Sequence, residues 1–202
     1  MKTLLAVISL RYLSQGEFMI RNTTQYFGSL TKFFHWTLFF LICIQFYLIW
    51  GQAAFSEKSP IKIQYVLLHK SFGISILILG ILFILWRMLN PKPHTVEGQP
   101  NWKRIAATAV HHSLLLLIVL MPIIGYLMSC AAGKPVRNLG LFTLPCLIAE
   151  NDHASDVLFM MHTYIAYIIL LLIAIHVLAA LQHHFILKDK VLKRMLPFSA
   201  RD

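Results

Sequence analysis

Four long apolar runs alternate with short polar stretches along the chain, at about residues 33–55, 65–89, 105–130 and 157–187. A helix that crosses the ~30 Å hydrocarbon core of a bilayer needs roughly 20 apolar residues, and each run supplies that number. Prolines and glycines concentrate between the runs, whereas Pro122 stands inside the third run and predicts a local kink there. The pattern predicts an all-α membrane protein, a bundle of four transmembrane helices with short connections.

The composition supports this prediction and excludes another class of protein. Of the 202 residues, 58% are hydrophobic, and the mean hydropathy is +0.69. The net charge is +10, but the lysines and arginines flank the apolar runs instead of forming a dense basic stripe. We therefore expect this chain to be embedded in a lipid bilayer and to have no nucleic-acid partner.

The chain divides into three parts by this pattern. Residues 1–18 form an N-terminal extension of unknown role, because their apolar run is too short to span and no convincing cleavage site follows it. A second methionine, Met19, is a candidate for the natural start. Residues 19–197 hold the four predicted spans, and residues 198–202 form a short C-terminal tail.

Basic residues are unevenly divided between the two sides of this arrangement. Thirteen lysines and arginines fall near the chain ends or the connection between the second and third runs, and five fall in or beside the other two connections. Because cytoplasmic segments carry the excess of basic residues, both termini are expected in the cytoplasm. The opposite, outer side also holds Glu150, Asp152 and Asp156.

Two histidines, His162 and His176, lie fourteen residues apart in the fourth run. At ~1.5 Å and ~100° per residue, they are separated by roughly 21 Å along the helix axis and lie on nearly the same face. A histidine inside a membrane span is energetically costly and is commonly functional. The fourth helix is therefore predicted to present two imidazoles to one side, one near each surface of the membrane.

Two further histidines match these in depth. His69 lies about one turn into the second span from the outer surface, and His35 lies just inside the cytoplasmic end of the first span. Histidines at one depth on facing helices are the arrangement that ligates a haem through both axial positions. The depths predict two haems, with metal ligands His69 and His162 for the outer haem and His35 and His176 for the inner one.

Other polar residues in or near the spans allow weaker interpretations. A lone histidine near a span end is more often interfacial than a ligand, so His94 and His153 are expected to be solvated and His112 interfacial. His111 is a candidate for contact with a haem edge or a quinone. Arg87 either neutralises a haem propionate by a charge-assisted hydrogen bond or reflects only the basic bias of the cytoplasmic side.

The three cysteines show no metal-binding spacing. Cys43 lies inside the first span, whereas Cys130 and Cys146 are expected on the same outer surface. If that surface faces an oxidising compartment, a Cys130–Cys146 disulfide can form. Free thiols are the simpler expectation.

Several segments resemble the prokaryotic cytochrome b561 family. The segment HKSFGISILILGILFILWRMLNPKP, which begins at His69, is similar to the second helix of that family. The segment HTYIAYIILLLIAIHVLAALQHHFILKDKVLKRMLP, which begins at His162, is similar to its fourth helix and tail. The motifs FFHW, LMPIIGYLM and GLFTLP occur in the family order, and HxxAxLxHH is the most specific. The resemblance covers residues 19–197.

The resemblance implies a multi-pass protein of the bacterial inner membrane with two haems b. By position it assigns His35 and His176 to the inner haem and His69 and His162 to the outer haem. It also places His183, one heptad after His176, next to a quinone site on the cytoplasmic side. Some members of this family oxidise superoxide at the outer surface and pass the electrons to ubiquinone.

The leading hypothesis is therefore transmembrane electron transfer from a periplasmic-side donor to the ubiquinone pool through two bis-histidine haems. The donor is superoxide or a redox protein, which leaves open whether the chain is a superoxide:ubiquinone oxidoreductase. One alternative is a haem-bearing membrane-anchor subunit of a partner dehydrogenase. Another is a transporter with a histidine relay, which is less favoured because the apolar runs contain no Asp or Glu.

Overall fold

The computed structural model of the protein describes residues 19–94 and 99–197 and contains four long helices. They are α1 (Ser29–Gly51), α2 (Pro60–Met88), α3 (Asn101–Ala131) and α4 (Asp152–Phe185). All four are long and apolar enough to cross a membrane, so the prediction of a four-span helical membrane protein is confirmed. The predicted extension at residues 1–18 and the tail at residues 198–202 lie outside the described residues.

Each helix begins four or five residues before its apolar run, because the first turn is built from polar or interfacial residues. Pro60 occupies a first-turn position of α2, where its missing N–H is not needed. The side chain of Asn151 caps α4 by accepting a hydrogen bond of 2.9 Å from the backbone N–H of Ala154. Hydropathy marks only the part of a helix in hydrocarbon, and these turns extend into the interface. Helix α3 is continuous through Pro122, and the kink there stays a prediction.

The helices pack mainly against their neighbours in sequence. Close backbone packing joins α1 to α2, α2 to α3 and α3 to α4, whereas α4 makes almost no close backbone approach to α1 or α2 in the described residues. Leu38 of α1 and Ile76 and Phe83 of α2 form a buried apolar cluster, while Ile169 is the buried residue of α4. Helix α4 therefore lies apart from α1 and α2, the two helices that its histidines face.

One end of the bundle, called here the outer end, carries a small β-hairpin. Its strands, β1 (Arg137–Asn138) and β2 (Phe142–Thr143), pair in antiparallel fashion across a turn in which Gly140 has φ +75°. The hydroxyl of Ser71 in α2 donates to the Arg137 carbonyl at 2.8 Å and accepts from the Leu139 N–H at 3.1 Å. The hairpin is thereby attached to α2 two residues after His69.

The opposite end, called the inner end, joins three separate stretches of the chain. The side chain of Asn22 accepts from the Gly28 N–H at 2.9 Å and from the Thr31 hydroxyl at 2.7 Å, and it donates to the Pro91 carbonyl at 3.1 Å. The indole N–H of Trp36 donates to the carbonyl of Met195, at 2.8 Å. Residues that precede α1, follow α2 and follow α4 therefore meet around the start of α1.

Candidate functional site

Two histidines face each other at the inner end of the bundle. His35 projects from α1 and His176 from α4, and their ring centres lie 6.1 Å apart with an interplanar angle of 57°. Each is half-buried. The two rings meet across the space that separates α4 from α1.

A second pair occupies the outer end in the same way. His69 of α2 and His162 of α4 have ring centres 6.2 Å apart and planes inclined by 75°. Helix α4 therefore contributes one imidazole to each pair, as its fourteen-residue spacing predicted. The structure brings together the four histidines that the sequence paired by depth, and their role as metal ligands stays a prediction.

The spacing of the rings can be compared with that of two imidazoles bound to one metal. A metal–imidazole bond of about 2 Å on each side sets the bound nitrogens about 4 Å apart and the ring centres, each about 1 Å further back, roughly 6 Å apart. Both pairs match this distance. In the described residues no group of three or more His, Cys, Asp or Glu side chains is arranged around a metal site. Two axial histidines with a macrocycle in between fit the geometry better than a protein-only metal site.

The imidazoles are buried polar groups whose hydrogen-bonding capacity is incompletely used. Nδ1 of His35, His69 and His162 is buried without a hydrogen-bond partner. Burial of such atoms is costly, and a function that needs the rings at these positions accounts for it. A Cβ added at Gly125 of α3 would lie 2.9 Å from Cε1 of His162, so only glycine leaves the ring its place.

A hydrogen bond between α1 and α2 supports the outer pair. The side-chain amide of Gln45 donates to the backbone carbonyl of His69 at 3.0 Å. A Cβ added at Gly73, one turn later, would lie 3.3 Å from the same amide nitrogen. The small residue therefore allows α1 to approach α2 at this level, which fixes the backbone that carries His69.

His111 of α3 joins the inner pair. Its ring centre lies 5.1 Å from that of His176, at an interplanar angle of 73°. This distance is shorter than the ring-centre distances within the two histidine pairs, and it corresponds to direct edge-to-face contact of the rings. The inner end thus holds three neighbouring imidazoles, with His176 next to both His35 and His111. The position of the His111 ring could not be predicted, because depth alone does not give the direction in which a side chain points.

His183 lies at the inner end with a polar partner on each ring nitrogen. Its Nδ1 lies 2.5 Å from a carboxylate oxygen of Asp189, and its Nε2 lies 3.4 Å from the amide nitrogen of Gln99. The sequence predicted the position of His183 but missed these partners. Lys188 adopts a left-handed conformation with φ 53°, which turns the chain back so that Asp189 reaches the helix it has just left.

Arg87 lies at the inner end of α2. Its guanidinium is stacked over the ring of Phe83, 6.0 Å from the ring centre, and it lies within electrostatic range of His111. Arg87 therefore lies near the inner histidines, in agreement with its predicted depth. Its two interpretations, a haem propionate partner or a member of the excess of basic residues on the cytoplasmic side, both stay predictions.

The histidines predicted to have no ligand role are found away from both pairs. His112 is exposed on the side of α3 and lies 2.7 Å from the Thr108 carbonyl of its own helix. His94 and His153 are exposed near the ends of helices. These positions fit interfacial or solvated residues.

Lys70 is the charged residue closest in sequence to the outer pair. Its ammonium donates to the hydroxyl of Ser129 in α3 at 2.6 Å, and that hydroxyl donates to the backbone carbonyl of Lys134. On sequence alone, Lys70 is one of five basic residues of the outer side that could steer an anion. Its position next to His69 and its bond to Ser129 hold the ammonium group at the edge of the outer pair.

Comparisons with known proteins agree with this arrangement. Residues 26–198 match the family model described as prokaryotic cytochrome b561. The chain is 34% identical over 181 residues to cytochrome b561 homolog 2 of Escherichia coli (strain K12), covering 90% of this chain and 96% of that protein. It is 31% identical to the probable superoxide oxidase CybB of Yersinia pestis, over 81% of this chain and 91% of that protein. Cytochrome b561 homolog 1 of Escherichia coli (strain K12) is 26% identical, over 85% and 97% of the two chains.

Proposed function

The chain belongs to the prokaryotic cytochrome b561 family of haem b electron-transfer proteins of bacterial membranes, and we propose that it carries electrons between an outer donor and a quinone at its inner end. The observation that supports this proposal is the presence of two histidine pairs at opposite ends of one bundle, each with the ring spacing of a bis-imidazole metal site. One pair could serve only one side of a membrane, whereas two provide a route across it.

In this proposal, His35 and His176 hold the inner haem and His69 and His162 the outer one. A haem held by each pair of histidines would supply reversible one-electron transfer. The chain holds the four imidazoles on three helices, so that the positions of the two sites are set by helix packing. The apolar, lipid-facing surfaces around them exclude water from the route.

The quinone is proposed to bind near His183. Reduction of a quinone to a quinol consumes two electrons and two protons, so its site needs a group that delivers protons. With the Asp189 carboxylate accepting from Nδ1–H, Nε2 of His183 can take up a proton from the aqueous side and donate it to a quinone oxygen. The carboxylate stabilises the imidazolium while that proton is held. Gln99, now next to Nε2, is the residue that a quinone would displace.

The inner membrane and a cytoplasmic position of both termini are part of the same proposal. They rest on the division of basic residues, thirteen against five. The physiological donor is then periplasmic. An anionic donor such as superoxide is supported by the fixed cation Lys70 beside His69, and by Lys134 and Arg137 at the same end. A redox protein or a partner dehydrogenase would instead need a protein-binding surface there.

Substitution of His183 tests the quinone assignment. We expect His183→Ala to keep both haems and their bis-histidine spectra, while electron exchange with ubiquinone slows by about tenfold or more, because proton delivery at Nε2 is lost. The measurement is stopped-flow oxidation of the reduced protein by a short-chain ubiquinone. His112→Ala is the matched control, since it removes an exposed histidine from the same end and should leave the rate unchanged. Unchanged kinetics in His183→Ala would locate the quinone elsewhere, with His111 as the next residue to test.

A further inference from the structure

A loop at the outer end is held against the last turns of α3. The hydroxyl of Tyr126 donates to the carbonyl of Pro145, and the N–H of Asn151 donates to the carbonyl of Ala131 at 2.9 Å. On the helix, these contacts lie on either side of Cys130, and in the loop they lie on either side of Cys146. The loop is thereby fixed with its cysteine over the helix end that carries the other one.

The two cysteines line one cleft of about 500 Å³, together with Gly133 and Glu150. Cys130 is 1% exposed, whereas Cys146 is open to solvent. The neighbouring Cys130 side chain raises the pKa of the Cys146 thiol, in agreement with the position of both cysteines in the same cleft. An accessible thiol with a buried thiol behind it is the arrangement in which the first can attack a disulfide of another protein and the second can then close the bond within the chain.

We propose that Cys130 and Cys146 form a disulfide that attaches the outer loop to α3. The oxidant is a disulfide-bearing protein of the outer compartment. The Cys146 thiolate attacks one of its sulfur atoms to give a mixed disulfide, and the Cys130 thiolate then displaces that protein as a dithiol. Both S–H bonds of the chain are lost, one S–S bond forms, and the two electrons leave with the oxidant. The proposal rests on the orientation stated under the proposed function, because the cytoplasm keeps thiols reduced.

The cross-link acts as a structural bond and not as a rapid redox relay. The raised pKa of the Cys146 thiol keeps the reduced form largely protonated near neutral pH, and only the thiolate exchanges. The bond closes a loop of fifteen intervening residues that includes the hairpin. It also fixes the helix turn at Ser129, whose hydroxyl accepts the hydrogen bond from Lys70 beside His69. The hairpin and the loop would therefore be joined covalently to the end of α3 that holds this hydrogen bond.

The test uses the full chain with Cys43→Ser, which removes the third thiol. Membranes are quenched in acid, alkylated with a maleimide in denaturant, and the intact mass is measured with and without prior reduction. We expect no adduct on the unreduced protein and two adducts after reduction. The matched control, Cys43→Ser with Cys146→Ser, should show one adduct in both states. Two adducts on the unreduced protein would overturn the proposal.

A second measurement separates this outcome from a wrong orientation. Lys58→Cys, in a chain whose native cysteines are all serine, lies in the other outer connection and is treated with a membrane-impermeant maleimide in spheroplasts. Labelling together with an oxidised native pair supports both proposals. Labelling together with two free native thiols rejects the disulfide and leaves the orientation intact. A protected Lys58→Cys together with two free native thiols rejects the orientation and the disulfide that rests on it.

Discussion

The two ends of the bundle hold similar histidine pairs in different surroundings. At the outer end, which holds His69 and His162, a hairpin and a loop are attached to α2 and α3. At the inner end, His35 and His176 are accompanied by His111, and a further imidazole, His183, lies nearby with its own carboxylate. The ring spacings differ by only 0.1 Å between the pairs, so the difference between the ends lies in what surrounds them.

In the proposed function, this difference separates two tasks. A pair that only receives electrons needs a fixed geometry and, for an anionic donor, a positive charge such as Lys70. A pair that passes electrons to a quinone needs groups nearby that take up and release protons, and imidazole is a side chain that can do so. Under that proposal, the additional histidines at the inner end would mark the quinone side.

The largest expected effect comes from removing one ligand. We expect His176→Ala to lose the inner haem and retain the outer one, because His35 would remain as a single axial ligand. A pyridine haemochrome assay should give one haem per chain in place of two. His162→Ala should lose the other haem, with a distinct spectrum for the one retained. Two haems in a folded His176→Ala protein would contradict the pairing. If the inner haem were then lost only in the double variant with His111→Ala, His111 would be the ligand that replaces His176.

A smaller and selective effect is expected at Gly125. The Cβ of Gly125→Ala would lie 2.9 Å from the His162 ring and must displace it, so we expect haem affinity at the outer end to fall by about tenfold. Haem transfer to an acceptor apoprotein measures this, with the spectrum of the retained haem identifying which of the two has left. Gly80→Ala is the control, because its Cβ would meet Ile118 and no histidine. Equal loss of haem from both ends would show that the glycine serves general packing.

The smallest effect is expected from Arg87. Its guanidinium lies near the inner histidines, so Arg87→Gln removes a positive charge that favours the reduced state of the inner haem. We expect the midpoint potential of that haem to fall by less than about 60 mV, which is a tenfold change for a one-electron couple. Redox titration of the two haems provides the measurement. Arg104→Gln, an exposed arginine bonded to Asn101, is the control. A shift confined to the outer haem would contradict the position assigned to Arg87.

The fold was predictable because a membrane imposes a strong pattern on sequence. Hydrophobic runs of spanning length identified all four helices, but they missed the first turns, and the first run continued four residues beyond the end of α1. Those turns contain residues such as Asn101 and Asp152, which are helical but not apolar. Helix propensity and capping set these boundaries, and hydropathy does not register them.

The depth of the site residues along the bundle axis was predictable from the sequence. The rise per residue gives this depth, and it was sufficient to pair His35 with His176 and His69 with His162, which the structure places opposite each other. It was insufficient for His111, because its contact with His176 depends on how α3 is rotated against α4. The contact of Asp189 with His183 depends on a left-handed residue after the helix, which no hydrophobic pattern reveals.

The bond between the Trp36 indole and the Met195 carbonyl has a consequence for the timing of assembly. It joins residues 159 positions apart, whereas Ser71 and Arg137 at the outer end are separated by 66. At a synthesis rate of about 5–20 residues per second, the inner contact must wait roughly 10–30 seconds after Trp36 is made, and the outer one only about 3–13 seconds after Ser71. The hairpin can thus cover its end while the last helix is still being made. The inner contact between Trp36 and Met195 forms only after the residues that follow the last helix have been made, so this end is joined after the outer one.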